Sequence, residues 1–161
     1  MSDSTAPRRR TLRFETVEDA LAEAERLLAA EREGRLGRAG NWSLGMTLGH
    51  LATWAEFAFN GYPPAVHAPL PVRLILRMMR GRILNKGMMP GVKVGRVPGG
   101  TVGLDELPAD EALHRFRAAL QRLKASSPVI ANPAFGKLTH EEWVKLNLRH
   151  AELHLGNQVP T

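Results

Sequence analysis

The sequence predicts an all-α protein, built as a four-helix bundle with one short accessory helix. Four long segments repeat apolar residues at the i, i+3, i+4, i+7 spacing of a helix that buries one face. These segments begin with threonine, serine or proline, residues that are suited to a helix N-terminus. No stretch of comparable quality alternates apolar and polar residues, so we expect essentially no sheet beyond a short hairpin within residues 85–107. Amphipathic helices of this kind bury their apolar faces against one another in a bundle.

The length and composition of the chain predict a single domain. Its 161 residues are enough to bury a substantial core. Residues 1–13 are predicted to form a disordered basic tail, and residues 14–161 the folded helical bundle. Cysteine is absent, which excludes disulfides, thiolate zinc sites and a cysteine nucleophile. Any bound metal must therefore be held by histidine, carboxylate or water ligands.

Charge and hydropathy narrow the range of partners. The formal net charge is +6, but no nucleic-acid-binding motif accompanies it, so no specific nucleic-acid partner is expected. The apolar runs are far shorter than a membrane span, and we expect no transmembrane segment. The first residues lack the apolar region of a secretory signal, which makes the cytoplasm the expected location. A phosphate-binding glycine loop and a serine nucleophile elbow are also missing.

The first two helices are predicted on either side of a glycine-rich turn. Thr16 is suited to cap the first helix, which begins at Val17 and ends before Gly34. Ser43 is suited to cap the second helix, which extends to about Asn60. Apolar residues cover most of the circumference of the second helix, and this pattern is typical of a buried, central helix.

A proline-rich segment separates the second helix from the short helix, predicted at residues 72–84. One side of that helix carries Arg73, Arg77 and Arg80. Such a stripe is typical of a solvated face, although it could also bind an anionic substrate, a phosphate or an acidic membrane surface. The following stretch, residues 85–107, is rich in glycine, proline and valine. It predicts a long second connection, of the kind that forms the wall or lid of a functional site.

The last two long helices also have recognisable ends. Pro108 is suited to the first position of a helix over residues 108–124, and acidic residues follow it in the first turn. Thr139 and Glu142 form a capping box at the start of the final helix. That helix is predicted to end at Gly156.

The most informative feature of the chain is the pair His150 and His154, one turn apart on the final helix. An i, i+4 pair directs both imidazoles to the same side, where two ring nitrogens can converge on one metal ion at about 2.0–2.1 Å each. The pair continues an apolar stripe that includes Trp143 and Leu146, so it is expected to face inward. The alternative is two satisfied core or surface histidines, because the pair lacks the neighbouring glutamate of an HExxH motif.

Other polar residues are weaker candidates for a role in the site. Asn147 lies one turn before His150 and is a candidate partner for a metal-bound histidine, or else an asparagine that is hydrogen-bonded to a loop. Glu56 and Glu152 are further candidates, but Glu152 lies two positions from each histidine of the pair and should point away. The remaining histidines are expected to be surface or structural residues: His67, His114 and His140.

Two histidine-containing segments together resemble the DinB/YfiT-like superfamily of metal-dependent enzymes. Residues 41–51, which include His50, are similar to the second-helix motif that supplies one metal ligand in that superfamily. Residues 150–158 are similar to the last-helix motif that supplies the other two. Residues 86–90 and 133–139 resemble the branch catalogued only as a domain of unknown function. The resemblance covers nearly the whole chain.

The resemblance implies a fold and a metal site. The implied fold is a four-helix bundle in an up-down-down-up arrangement, usually found as a homodimer. The implied ligands of a divalent metal, zinc or nickel, are His50, His150 and His154. Many relatives place Arg-Gly-Gln after the last ligand, whereas residues 155–158 are Leu-Gly-Asn-Gln here. Any role of that arginine is therefore not carried over to this chain.

The resemblance also suggests a class of chemistry. Characterised relatives include a mycothiol-dependent maleylpyruvate isomerase and bacillithiol S-transferases, which use a low-molecular-weight thiol. Three neutral histidines with an open fourth position form the ligand set of a catalytic metal. One hypothesis is therefore a metal-dependent hydrolase or thiol S-transferase that acts on a small electrophilic substrate. The alternative is a non-catalytic binding or stress-response module whose metal site is vestigial and whose basic surface contacts acidic partners.

Overall fold

The computed structural model describes residues 7–93, 97 and 100–161. Within these residues it contains five α-helices, one turn of 3-10 helix and two short strands, which confirms the prediction of a mainly helical protein. In chain order the elements are α1 (Val17–Arg32), β1 (Leu36–Arg38), α2 (Leu44–Asn60), the 3-10 turn (Pro64–Val66), α3 (Leu70–Lys86), α4 (Ala109–Ala125), α5 (His140–Leu155) and β2 (Gln158–Pro160). None of the described helices combines the length and apolar character needed to cross a membrane.

The predicted helix starts are confirmed at the residues whose side chains cap them. Thr16 and Thr139 each form a complete capping box with the acidic residue three positions on. The Ser43 hydroxyl accepts a hydrogen bond from the Met46 amide at the start of α2. Pro108 is the N-cap residue that precedes α4, whereas the sequence predicts it at the first position inside the helix. The sequence therefore determines these boundaries through local hydrogen bonds.

The main hydrophobic core lies between α1, α2, α4 and α5. Helix α2 has the most extensive contact with α4 and is buried along most of its length, as its apolar circumference predicts. A smaller cluster around Trp143 joins the C-terminal ends of α2, α3 and α4 to the start of α5. The two clusters together hold α2 and α5 in a fixed relative position, and this matters because the candidate metal ligands lie on those two helices.

Helix α3 is longer and more exposed than predicted. It spans 17 residues, as many as α2, and only Leu84 is fully buried. It begins two residues before the predicted start and ends two residues after the predicted end. The earlier start is possible because Pro71 lies in the first turn, where proline is well tolerated. The helix ends at Gly87, whose φ of 108° is readily adopted only by glycine.

The sheet of the protein lies in a different place from the hairpin that the sequence predicts. Strands β1 and β2 form a two-stranded antiparallel sheet in which Gly37 is paired with Val159. Neither strand is long enough to show an alternating pattern, and the partners are more than a hundred residues apart, so the sequence carries no local signal for this pairing. In the predicted hairpin region, residues 85–107, no strand is found among the described residues. Residues 94–96 and 98–99 of that region lie outside the described residues.

The segment before α1 also differs from the expectation of a disordered tail. Residues 1–6 lie outside the described residues, but residues 7–13 run along the C-terminal part of the fold. The Arg10 amide donates to the carbonyl of Gly156 at 2.8 Å, and its guanidinium donates to the Gln158 carbonyl and to Glu23. A segment that composition alone marks as basic and flexible is thus held by backbone acceptors that only the folded chain provides.

Two glycines on α2 allow the segment before α4 to lie directly on that helix. A Cβ atom at Gly45 would lie 1.8 Å from the Leu107 carbonyl oxygen, and one at Gly49 would lie 3.1 Å from the Leu107 side chain. The four-residue spacing places both glycines on one face of the helix. Further along this segment, Gly103 has a φ of 77°, and a Cβ atom there would lie 2.9 Å from Cβ of Thr53. The close approach of residues 102–107 to α2 therefore requires glycine at positions 45, 49 and 103.

We expect Gly45→Ala to destabilise the protein by about 1–3 kcal/mol, because an added methyl group in a closely packed contact forces backbone to move. This change in stability is opposite in sign to the usual one, since replacing a helix-interior glycine with alanine ordinarily stabilises a protein by about 0.5–1 kcal/mol. Gly81→Ala on α3 is the matched control, because nothing lies within 4 Å of its Cβ position. Urea unfolding of both variants measures the difference. Equal stability of the two variants would contradict the close contact at Leu107.

Candidate metal centre

Three histidines from two helices converge at one point in the fold. His50 is supplied by α2, and His150 and His154 by one face of α5. One ring nitrogen of each lies within 4.8 Å of the other two. His50 is only 1% exposed, and the other two side chains are partly buried. The structure thus brings together the three residues for which the sequence predicts metal binding.

The spacing of the nitrogens suits a metal ion. Nε2 of His50 lies 3.2 Å from Nε2 of His150. Two nitrogens bound to one tetrahedral zinc ion at about 2.0–2.1 Å are about 3.3 Å apart. The third nitrogen, on His154, lies within 4.8 Å of the other two. An all-nitrogen donor set of this kind suits zinc or nickel better than calcium or magnesium.

The protonation of His50 is fixed by a backbone carbonyl. Its Nδ1 atom lies 2.8 Å from the Val102 oxygen, which can only accept a hydrogen bond. Nδ1 must therefore carry the proton, which leaves Nε2 with a lone pair on the side of His150. Metal-bound histidines characteristically donate their second ring N–H to such a partner, which fixes the tautomer and the ring orientation.

Aromatic rings surround the three imidazoles. The Trp42 ring stacks on His154 with a centroid separation of 4.9 Å and an interplanar angle of 16°. Trp54 approaches His50 and His150 from the other side, at 5.9 and 5.8 Å between centroids. These apolar surfaces keep water away from most of the cluster and limit the rotation of the rings.

Burial keeps the imidazoles in the neutral form that binds metals. It lowers the pKa of His50 to about 4. It also lowers the pKa of His154 to about 3, with smaller contributions from His50 and Arg9. The pKa of His150 is held well below the ordinary histidine value by burial first and by its two neighbours second. Protons should therefore compete with a metal ion only in solutions much more acidic than pH 6.5.

A cavity of about 190 Å³ opens beside His154. Its walls come from the turn between β1 and α2, from Thr47 and from Asn157 after α5. The Thr47 hydroxyl is fixed by hydrogen bonds to the Ser43 carbonyl and from Gln158. Of the three clustered histidines, His154 lines this cavity, together with Trp42.

The other predicted candidates lie outside the cluster. The side-chain amide of Asn147 donates to the Trp143 carbonyl within its own helix, and neither the contact with His150 nor the alternative hydrogen bond to a loop is found among the described residues. Glu56 forms an ion pair with Arg115 at 2.7 Å. Glu152 points away from the histidines, as predicted, and accepts a hydrogen bond from the Phe14 amide. Of the remaining histidines, His67 lies near the Pro64 carbonyl, His140 near the Leu123 carbonyl, and His114 is exposed on α4.

The arginine stripe of α3 is only partly the solvated face that the sequence suggests. Arg80 donates to the Lys137 carbonyl and lies 3.4 Å from the Glu142 carboxylate. Arg73 is partly buried, whereas Arg77 is exposed and lies close to Gly136. The stripe therefore fixes α3 to the segment before α5 and does not reach the histidines.

Sequence reasoning missed three contributors to the site, namely the Val102 carbonyl, Trp54 and the stacking position of Trp42. The carbonyl could not be found from residue type, because every residue has one. The available signal was indirect: two glycines four residues apart on a buried helix indicate that another backbone approaches it.

The stability of the metal-free protein should fall as the pH decreases from 6.5 towards 4. The unfolded chain takes up protons on these histidines below pH 6.5, whereas burial prevents the folded chain from doing so. For His50 alone the loss amounts to about 3 kcal/mol, since one pKa unit corresponds to about 1.4 kcal/mol. We expect His50→Gln to show a smaller loss over this pH range in urea unfolding with a chelator present. His114→Gln, which changes an exposed residue, should show the same loss of stability as the wild type. An equal loss of stability in both variants would contradict the burial of His50.

Comparison with known proteins identifies the family of the chain. No curated protein and no solved structure matches it. A family model described as "Protein of unknown function (DUF1569)" matches residues 6–161. This match covers all five helices, both strands and the three clustered histidines. The chain therefore belongs to the DUF1569 family of proteins of unknown function.

Proposed function

We propose that His50, His150 and His154 bind one divalent metal ion, zinc or nickel, and that the protein is a metal-dependent enzyme. The observation that carries the proposal is the pair of contacts made by His50. Its Nδ1 proton is donated to the Val102 carbonyl, and its Nε2 atom lies 3.2 Å from Nε2 of His150, with a ring nitrogen of His154 within 4.8 Å. Metal-bound histidines characteristically donate their second ring N–H to a carbonyl or carboxylate in this way.

The ligand count supports a catalytic metal over a structural one. Structural zinc sites are closed by four protein ligands, whereas catalytic sites have three and leave a position open. Only three potential ligands are clustered among the described residues, and the cavity beside His154 provides the open side. A metal ion bound there would lower the pKa of a water or thiol in the open position and so supply a nucleophile at neutral pH.

The surroundings of the cavity suit a reaction in which the metal itself generates the nucleophile. Its described lining residues include no carboxylate that could act as a general base. Neither a low-molecular-weight thiol nor a water molecule needs such a base once a metal has lowered its pKa, because the bound thiolate or hydroxide is itself the nucleophile. The lining therefore fits a thiol S-transferase and a hydrolase alike. A volume of about 190 Å³ limits the co-substrate or the electrophilic substrate to a small molecule. Trp42 and Thr47 would orient it against His154.

The finer aspects of the fold and assembly belong to the same proposal. The resemblance to the DinB/YfiT-like superfamily supports an up-down-down-up arrangement of α1, α2, α4 and α5, and a homodimer in solution.

The alternative function is a non-catalytic binding or stress-response module with a vestigial metal site. That alternative is supported by the lack of a carboxylate among the described lining residues, because catalysis there would depend on the metal alone.

We expect wild-type protein that is reconstituted with zinc or nickel to contain one metal ion per chain. His50→Ala and His150→Ala should each lose stoichiometric metal, because two remaining nitrogens bind weakly. Circular dichroism should stay helical, since the main core does not include the ligands. His114→Ala, which changes an exposed histidine of α4, is the control and should retain the metal. Elemental analysis that finds no metal in the wild type, or unchanged metal in both ligand variants, would disprove the site.

The thiol chemistry can be tested in cobalt-substituted protein. Cobalt(II) reports its ligands in its absorption spectrum, and a thiolate ligand adds an intense charge-transfer band in the near ultraviolet. We expect this band to develop saturably when a small thiol is added at neutral pH, because the open position faces the cavity. Adding the corresponding alcohol is the control. A stoichiometric cobalt site whose spectrum does not respond to the thiol would exclude the S-transferase and leave a hydrolase or the non-catalytic module.

A further inference from the structure

A second cavity, of about 170 Å³, lies between the segment before α1, the end of α3 and the face of α5 that carries Arg149. We infer that this cavity is a binding site for a phosphate-type oxyanion, distinct from the histidine cluster. Three cationic side chains line it, those of Arg9, Lys86 and Arg149, together with the Thr11 side chain and the carboxylate of Glu152.

Arg149 is the residue that carries this inference. It is 2% exposed, and its Nη2 atom donates to the Phe14 carbonyl. Its Nε and Nη1 atoms are buried and have no hydrogen-bond partner among the described residues. A buried guanidinium with two unsatisfied N–H groups is costly. Arg149 lines the cavity, and an oxyanion that enters far enough to reach these two buried atoms would supply both the opposite charge and the missing acceptors.

The balance of charge around the cavity also favours an anion. Glu152 opposes one of the three cations, and its Oε1 atom lies 3.2 Å from Nη2 of Arg149. That oxygen is also engaged by the Phe14 amide at 2.7 Å. Lys86 has no ion pair or side-chain hydrogen bond among the described residues, and Arg9 uses only Nε and Nη2, both on the Leu153 carbonyl. The lining thus has a formal charge of +2.

The proposed oxyanion site is separate from the candidate metal centre. At 100° per residue, Arg149 and Glu152 point to a different side of α5 from His150 and His154. The two cavities share no lining residue. A ligand in the second cavity would instead hold three parts of the chain together, namely residues 9–12, the end of α3 and α5. The inference does not depend on the proposed enzymatic function.

The test is a titration of the full-length protein with sodium phosphate at constant ionic strength, with chloride as the balancing salt. Isothermal calorimetry measures affinity, and the 1H–15N signal of the Arg149 Nε–H group reports the site directly. Arg149→Lys keeps the charge and removes that group, so it assigns the signal. Saturable binding that shifts this signal would support the proposal. Comparing glycerol phosphate with inorganic phosphate distinguishes a phosphate ester from the free ion as the preferred occupant, and either preference supports an oxyanion site.

Lys86→Gln and Lys137→Gln form the matched pair of variants. Both lysines are exposed, and both changes remove one positive charge, but only Lys86 lines the cavity. We expect Lys86→Gln to weaken phosphate binding about fivefold through the loss of one charge-assisted hydrogen bond, and Lys137→Gln to leave it unchanged. Equal weakening in the two variants would show general electrostatic attraction only and would overturn the proposal. The proposal would also be overturned if the Arg149 Nε–H signal of the wild type did not saturate with phosphate.

Discussion

The close approach of residues 102–107 to α2 is the constraint on which the candidate site depends. Gly45 and Gly49 leave no side chain between the helix and this segment, so that Leu107 lies directly on the helix backbone. That contact brings the Val102 carbonyl to Nδ1 of His50 and selects the tautomer that can bind a metal. The tautomer of His50 is thus determined by backbone packing against the same helix.

The parts of the structure that the sequence predicts are those controlled by local interactions. Helix starts at Thr16, Ser43 and Thr139 follow from side chains that bond to amides three positions away. The shared face of His150 and His154 follows from helix geometry alone. The addition of His50 to this pair came from a family resemblance and not from periodicity, and the structure places it within hydrogen-bonding distance of His150.

The parts that escaped prediction depend on contacts between distant segments. The pairing of β1 with β2 joins two three-residue strands, and neither has a recognisable pattern. The anchoring of residues 7–13 relies on carbonyl groups near the end of α5, which no residue type reveals. The helix position of Asn147 makes it a candidate partner of His150, yet its amide donates to the carbonyl one turn earlier. The position of a residue along a helix determines which side its side chain faces, but not which group that side chain binds.

The β1–β2 pairing has a consequence for the order in which the protein folds. Gln158 donates to the Trp42 carbonyl and to the Thr47 hydroxyl, so the wall of the cavity beside His154 is held by residues that are synthesised more than a hundred positions later. Contacts of such high sequence separation form late, because the entropy of closing a long loop must be overcome first. On the ribosome, α1, α2 and α4 can begin to pack while this wall is still open. The entrance to the histidine cluster therefore takes shape late, together with the packing of α5, which carries two of the three histidines.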